Sequence, residues 1–185
     1  MAGDTGADDA GGAVRAVRRR LGRTWEMLRG SDLGVRPFDP GTDGPLAFFS
    51  PPPDEHEVDR YWVNAPYAYV VITYDDGESE HRYYAVEPDL DEFERELLDR
   101  VADDIRDPLL YKEGTGRTDE ETLRTELESL LEQYGVDAGM DTFHSLAYYL
   151  YRDFRGFGKV DPLLNDAHIE DVSCDGYDLP IFVYH

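Results

Sequence analysis

Cysteine, lysine and long apolar runs are what this 185-residue chain has least of. Cys174 is the one cysteine, which excludes an internal disulfide and a CxxC pair for zinc. No stretch approaches the ~18 consecutive apolar residues of a membrane span. The opening MAGDTGADDAGGAV lacks the apolar core of a secretory signal. We therefore expect a soluble, cytoplasmic protein.

Positive charge is also scarce. The chain has 41 acidic and 18 basic residues, for a net charge of −23, and Lys112 and Lys159 are its two lysines. Such a surface repels nucleic acid and anionic membranes, so we expect no nucleic-acid partner. Dense carboxylates are typical of proteins adapted to high salt, where ions screen their repulsion. This halophilic interpretation assigns most acidic residues to solvation.

A basic segment interrupts this pattern near the N-terminus. Residues 1–37 carry a net charge of +2, which leaves −25 on residues 38–185. Within residues 13–30, apolar residues recur at helical spacing beside arginines. The helix either packs on the acidic body of its own chain or docks on a partner or, peripherally, on a membrane. The candidate docking residues are Val14, Arg18, Arg19, Leu21, Trp25 and Leu28.

Proline, glycine and turn residues divide the chain into segments. Six prolines between residues 31 and 60 predict an extended connector. Two runs of β-branched and aromatic residues around Asp76-Gly77 predict a hairpin. We expect its tyrosines to pack under helices rather than to stack on nucleic-acid bases. The expected segments are a disordered acidic tail (1–12), a basic helix (13–30), the connector (31–60), the hairpin (61–88), three helices (89–156) and a sheet-forming segment (157–185).

Three amphipathic stripes predict a helical bundle. The first helix is expected to begin at an Asp89 cap and to stop at Asp107-Pro108. Its inward stripe is Leu90, Phe93, Leu97, Val101 and Ile105. The second begins at a Thr118 capping box and ends at Gly135, and the third begins at an Asp141 cap. Short connections favour antiparallel packing of the three. The predicted class is α+β: a β-hairpin and three-helix bundle, followed by the start of an incomplete α/β subdomain.

The Gly158-Lys159 pair invites comparison with a phosphate-binding loop. That loop reads GxxxxGK[ST], follows a strand and opens a helix. Here Asp153 stands where the first glycine belongs, and Val160 replaces the hydroxyl residue. The pair also follows a predicted helix. We therefore predict no nucleotide site at Lys159.

The acidic loop at residues 161–178 raises the question of a metal site. Its spacing departs from that of an EF-hand, and His168 and His185 have no ligand partner at helical or hairpin spacing. Cys174 has no basic neighbour to activate it. A small metal-dependent hydrolase would require a divalent ion in this loop. We predict no catalytic, cofactor-binding or metal residues, and a packed turn whose inward side chains are Leu163, Leu164, Ile169 and Val172.

The final stretch, GKVDPLLNDAHIEDVSCDGYDLPIFVYH, resembles a segment of the archaeal secretion-superfamily ATPases. These are hexameric motors of archaeal type IV pili and the archaellum, related to type II and type IV secretion ATPases. Val160, Leu164 and Ala167 depart mildly from the pattern. The matching residues that the resemblance marks as family-motif or interface positions are Gly158, Lys159, Asp161, Pro162, Ile169, Glu170, Asp171, Gly176 and Pro180.

The resemblance implies a non-catalytic N-terminal region, truncated before the nucleotide-binding domain. Its implied partners are neighbouring ATPase subunits and a polytopic membrane platform protein, at the inner face of the membrane. ATP and Mg²⁺ would belong to the missing motor domain, and this chain would hold no cofactor. The alternative is a standalone module that binds the platform protein. In the truncated case, PIFVYH is a strand without a partner in the chain, and we expect it to fray or self-associate.

Overall fold

The computed structural model describes residues 38–112, 120–176 and 181–185. The predicted tail, the basic helix with all its docking residues, Thr118 and Pro180 lie outside these ranges. The chain divides into two units at Pro37. The second unit, Phe38–His185, contains every helix and strand of the described ranges.

A three-stranded antiparallel sheet forms the β part of this unit. A short helix, α1 (Pro40–Asp43), precedes strands β1 (Glu55–Asn64), β2 (Ala68–Asp75) and β3 (Glu80–Val86), with β2 in the centre. The expected hairpin corresponds to β2 and β3. The expectation of a connector up to residue 60 was wrong, because β1 begins at Glu55. Most of β1 is exposed, so its sequence lacks the apolar alternation that would have marked it as a strand.

The central strand anchors the core of the sheet. Val70 and Val71 have no solvent exposure, and Tyr67 and Tyr69 are buried. Tyr67 packs against helix residues as expected, whereas Tyr69 lies in a cluster of strand and loop residues that includes Ala47. The hydroxyl of Tyr67 lies 3.0 Å from Nδ1 of buried His144, which joins the sheet to the helices.

The Asp-Gly turn between β2 and β3 is stabilised by a side chain of β2. Oδ1 of Asp75 accepts the backbone N–H groups of Gly77 at 2.8 Å and of Glu78 at 3.0 Å. A carboxylate that accepts backbone donors two and three residues ahead holds a turn closed. The predicted hairpin is therefore present, but its turn differs from a tight Asp-Gly turn. The loop comprises residues 76–79, since Asp75 pairs with Glu80, and the residue at positive φ is Ser79, at 57°.

Three helices form the α part. They are α2 (Glu92–Lys112), α3 (Glu120–Tyr134) and α4 (Met140–Phe154), and each packs against the other two. The residues buried in this packing include Leu97, Val101, Ile105, Leu123, Leu127, Leu146 and Leu150. The predicted α+β class is confirmed. No helix in the described ranges is both long and apolar enough to cross a bilayer.

The N-terminus of α2 corrects two expectations. Its capping box is Asp91 with Glu94, each side chain accepting the other's backbone N–H, and not Asp89. Asp89 is engaged elsewhere, since its carboxylate accepts the N–H of Phe48 at 3.2 Å. Phe93 was expected inside and is 59% exposed.

Two helix ends also differ from expectation. The first helix does not stop at Asp107-Pro108 but continues to Lys112. A proline inside a helix removes one backbone hydrogen bond, and the other hydrogen bonds can continue the helix past it. The N-cap of α4 is Gly139 rather than Asp141. The predicted end of the second helix is confirmed at Tyr134, followed by Gly135 at φ +67°.

A two-stranded sheet lies at the end of the described ranges. After a 3₁₀ turn (Gly158–Val160) and a short helix, α5 (Asp161–Asn165), strands β4 (Asp171–Cys174) and β5 (Ile181–Tyr184) pair antiparallel. The expectation that PIFVYH has no partner strand in this chain was therefore wrong. The partner, DVSC, is short and polar, so its sequence carried little strand signal.

Candidate functional site at the hairpin–sheet junction

The family-motif residues separate into a buried group and an exposed group. Asp161, Pro162 and Ile169 are buried. The exposed members are Lys159, Glu170, Asp171 and Gly176, and Gly158 is half-buried. Asp161 and Pro162 begin α5, directly after the turn that follows α4, and Ile169 lies in the loop before β4. The exposed group lies on the turn and the terminal hairpin.

The apolar side chains of this segment are only partly inward. Ile169 is buried as expected, and Leu163 and Val172 are half-buried. Leu164 was expected inside and is 42% exposed. It lies on α5, whose inward positions are taken by Asp161 and Pro162, so the turn is held by a buried carboxylate as well as by apolar packing.

Asp161 is the centre of the buried group. One carboxylate oxygen accepts the N–H of Phe157 at 3.0 Å, and the other accepts the side-chain amides of Asn165 at 2.8 Å and Asn64 at 3.3 Å. Burial raises its pKa, although the hydrogen bonds from Phe157 and Asn64 oppose the shift. These contacts tie the turn after α4 to the end of β1.

Lys159 lies in a setting unlike that of a phosphate loop. It is exposed on the 3₁₀ turn between α4 and α5, and Gly158 adopts φ +62° there. The element before the turn is a helix, and the helix after it has five residues. A strand–loop–helix unit, which orients backbone amides at a phosphate, is therefore not what surrounds Lys159.

A second cluster joins the terminal hairpin to the three-stranded sheet. The hydroxyls of Tyr61 on β1 and Tyr83 on β3 donate to the same oxygen of buried Asp166, at 2.6 and 2.8 Å. The other oxygen of Asp166 accepts the backbone N–H of His168 at 2.8 Å and lies 3.2 Å from its Nδ1. Tyr61 Oη is also 2.8 Å from His185 Nε2. We call Tyr61, Tyr83, Asp166, His168 and His185 the junction cluster.

The electrostatics of the junction cluster favour an ionised carboxylate. Burial opposes ionisation of Asp166, but hydrogen bonds from Tyr61, His168 and Tyr83 outweigh it and lower its pKa. The pKa of Tyr61 and of Tyr83 is raised, mainly by burial and secondly by the hydrogen bond that each donates to Asp166. The two tyrosines therefore remain hydrogen-bond donors to a negatively charged oxygen at neutral pH.

The register of the hairpin explains how His185 reaches this cluster. Asp171 pairs with Tyr184, and the N–H of Glu170 donates to the carbonyl of Tyr184 at 2.7 Å. The chain therefore returns beside the loop that carries His168, and the two imidazole rings lie 5.5 Å apart. Sequence spacing had indicated no ligand partner for either histidine. One sequence signal could have predicted their proximity. His168 precedes the first strand of an antiparallel hairpin and His185 follows the second, and these two ends of a hairpin lie side by side.

An open groove adjoins the junction cluster. It has a volume of about 580 Å³ and lies between β3 and β5, with Tyr83, Lys159 and Phe182 among its lining residues. Phe182 is 58% exposed. The hairpin thus presents apolar side chains to solvent beside a lysine.

The N-terminal part of the chain matches a known family. Residues 15–89 match the family model described as PilB3-like, N-terminal. This range includes β1, β2 and β3 and ends just before α2. This part of the chain is therefore similar to the N-terminal region of PilB3-like proteins.

A curated relative covers more of the chain. An uncharacterized protein of Methanocaldococcus jannaschii is 30% identical over 121 residues, which amount to 64% of this chain and 48% of that protein. The chain thus spans about half the length of this relative.

Proposed function

We propose that this chain acts as the N-terminal, non-catalytic assembly and coupling region of a hexameric pilus-assembly or secretion ATPase. In this role it binds neighbouring motor subunits and a polytopic membrane platform protein, and it transmits nucleotide-driven movement rather than producing it. ATP and Mg²⁺ act in the motor domain and not in this chain.

The match of residues 15–89 to the PilB3-like N-terminal model is the observation that carries the proposal. The ATPase-like segment beginning at Gly158 lies outside that range and supports the same family independently. The exposed setting of Lys159, between a helix and a five-residue helix, supports a non-catalytic role.

Binding to the two proposed partners can be measured directly. Tagged chain is mixed with a PilB-type motor ATPase or with a detergent-solubilised platform protein, and co-elution and binding isotherms are recorded. We expect dissociation constants at or below ~1 µM, in the range of specific interfaces. A variant lacking residues 13–30 tests whether the basic segment supplies the platform contact.

The outcomes separate the alternatives. Binding to the motor together with a change in its ATPase rate supports an assembly and coupling role. Binding to the platform protein without binding to the motor would replace this role with a standalone interaction module. Binding to neither partner would refute the proposal.

A further inference from the structure

We propose that Asp166, His168 and His185 form a binding site for a divalent transition-metal ion of the zinc class. The ligand atoms that these residues offer all lie within 4.8 Å of one another. They come from three points in the chain: the end of α5, the loop after it, and the residue after β5. The inference stands on this geometry and is independent of the proposed function.

The donor types select the class of ion. Two imidazoles and one carboxylate suit zinc, which binds nitrogen and oxygen donors. Three protein ligands leave the fourth tetrahedral position for water or another ligand. Calcium and magnesium prefer an oxygen-only set with several carboxylates or carbonyls. A single carboxylate between two histidines therefore favours zinc over either.

The surroundings of Asp166 are those of a supported metal ligand. Tyr61 and Tyr83 both donate to its Oδ2, which orients the carboxylate and leaves Oδ1 directed at His168. Hydrogen bonds of this kind to a ligating carboxylate tune both its orientation and its affinity for metal. The buried member of the set is thus held firmly, while His168 and His185 are exposed and accessible to an ion.

Binding requires a modest contraction of the cluster. A tetrahedral zinc ion with bonds of ~2.0–2.1 Å sets its ligand atoms roughly 3.3 Å apart, compared with up to 4.8 Å here. The imidazole of His168 is 61% exposed, so its rotation displaces few neighbours. The bound ion would connect the loop after α5 to the end of the terminal hairpin and, through the two tyrosines, to β1 and β3.

The test titrates Zn²⁺ into untagged, chelator-treated full chain and follows the heat of binding. An excess of Mg²⁺ occupies the many surface carboxylates. We expect one saturable site per chain. His168→Ala and His185→Ala should each weaken binding more than ~100-fold, and Tyr61→Phe by ~10–100-fold, as for loss of a supporting hydrogen bond.

Matched controls are His56→Ala and His81→Ala, which remove exposed histidines of the three-stranded sheet. They should leave the affinity unchanged. Co²⁺ provides a second readout, because tetrahedral imidazole coordination produces intense visible absorption that His185→Ala should abolish. Absence of saturable binding, or equal binding by the wild type, His168→Ala and His185→Ala, would overturn the proposal.

Discussion

Replacing Asp161 by alanine should destabilise the fold more than replacing any exposed acidic residue. The substitution removes the acceptor of three donors: the backbone N–H of Phe157 and the side-chain amides of Asn64 and Asn165. Asp161 is 1% exposed and Asn64 is 2% exposed. Water therefore has little access to replace the lost acceptor.

The expected magnitude depends on the groups left without an acceptor. A buried donor that loses its partner costs ~1–3 kcal/mol, and Phe157 N–H and Asn64 Nδ2 both lose one. Removal of a carboxylate whose burial raises its pKa recovers part of this cost. We expect a net loss of about 3 kcal/mol in the free energy of unfolding, or a fall in Tm of roughly 6–12 °C for a chain of this size.

The pH dependence supplies a second signature. A carboxyl group with a raised folded-state pKa contributes most to stability at low pH, and its contribution declines as pH rises from the unfolded value of 3.8 through the folded pKa. The destabilisation by Asp161→Ala should therefore be larger at pH 3 than at pH 7.

Urea unfolding followed by circular dichroism measures both effects, with Asp137→Ala, at an exposed loop position, as the matched control. A loss below ~1 kcal/mol at pH 7 would refute the inference that Asp161 pins the turn after α4. A loss that grew with pH would contradict its raised pKa.

Four other predictions test separate parts of the chain. Asp75→Ala should destabilise less at low pH than at pH 7, because hydrogen bonds from the N–H groups of Glu78 and Gly77 lower the pKa of Asp75, and urea unfolding at both pH values checks this. Gly156→Ala should lower Tm because its Cβ would collide with Asp161 and a backbone carbonyl, and a double-mutant cycle with Asp161→Ala should be non-additive. Phosphate release should show no ATP hydrolysis by the chain or by Lys159→Ala, since Lys159 does not follow a strand–loop unit. Lowering salt from ~1 M to ~0.1 M should lower Tm, because the repulsion within the net charge of −25 on residues 38–185 is then screened less. A constant Tm would contradict the halophilic interpretation.

The elements with strong apolar periodicity were predictable from sequence. The helical stripe through Leu97, Val101 and Ile105 is buried as expected, and β2 and β3 flank the predicted Asp-Gly turn. The boundaries were less predictable. Asp89 and Asp91 both suit a helix cap, and the choice between them depends on the distant N–H of Phe48, which engages Asp89.

Two strands were missed for one physical reason. The residues of β1 and β4 are mostly exposed or half-exposed. These strands are therefore stabilised by pairing with a more apolar neighbouring strand rather than by burial of their own side chains. An edge strand that contributes backbone hydrogen bonds but little apolar surface has almost no single-sequence signature. The junction cluster depends on both of these strands, which is why sequence spacing alone did not bring its residues together.

Polar contacts do much to hold the terminal hairpin against the sheet. Ile181, Phe182 and Tyr184 are 43%, 58% and 62% exposed, so burial of β5 contributes little to its position. Tyr61 joins Asp166 to His185 and so links the hairpin's end to β1. Because hydrogen bonds of this kind contribute ~0.5–1.5 kcal/mol each, and up to ~3 when one partner is charged, small changes at the junction cluster can alter the hairpin's position. An ion bound by Asp166, His168 and His185 would therefore fix the same hairpin whose apolar face borders the groove beside Lys159.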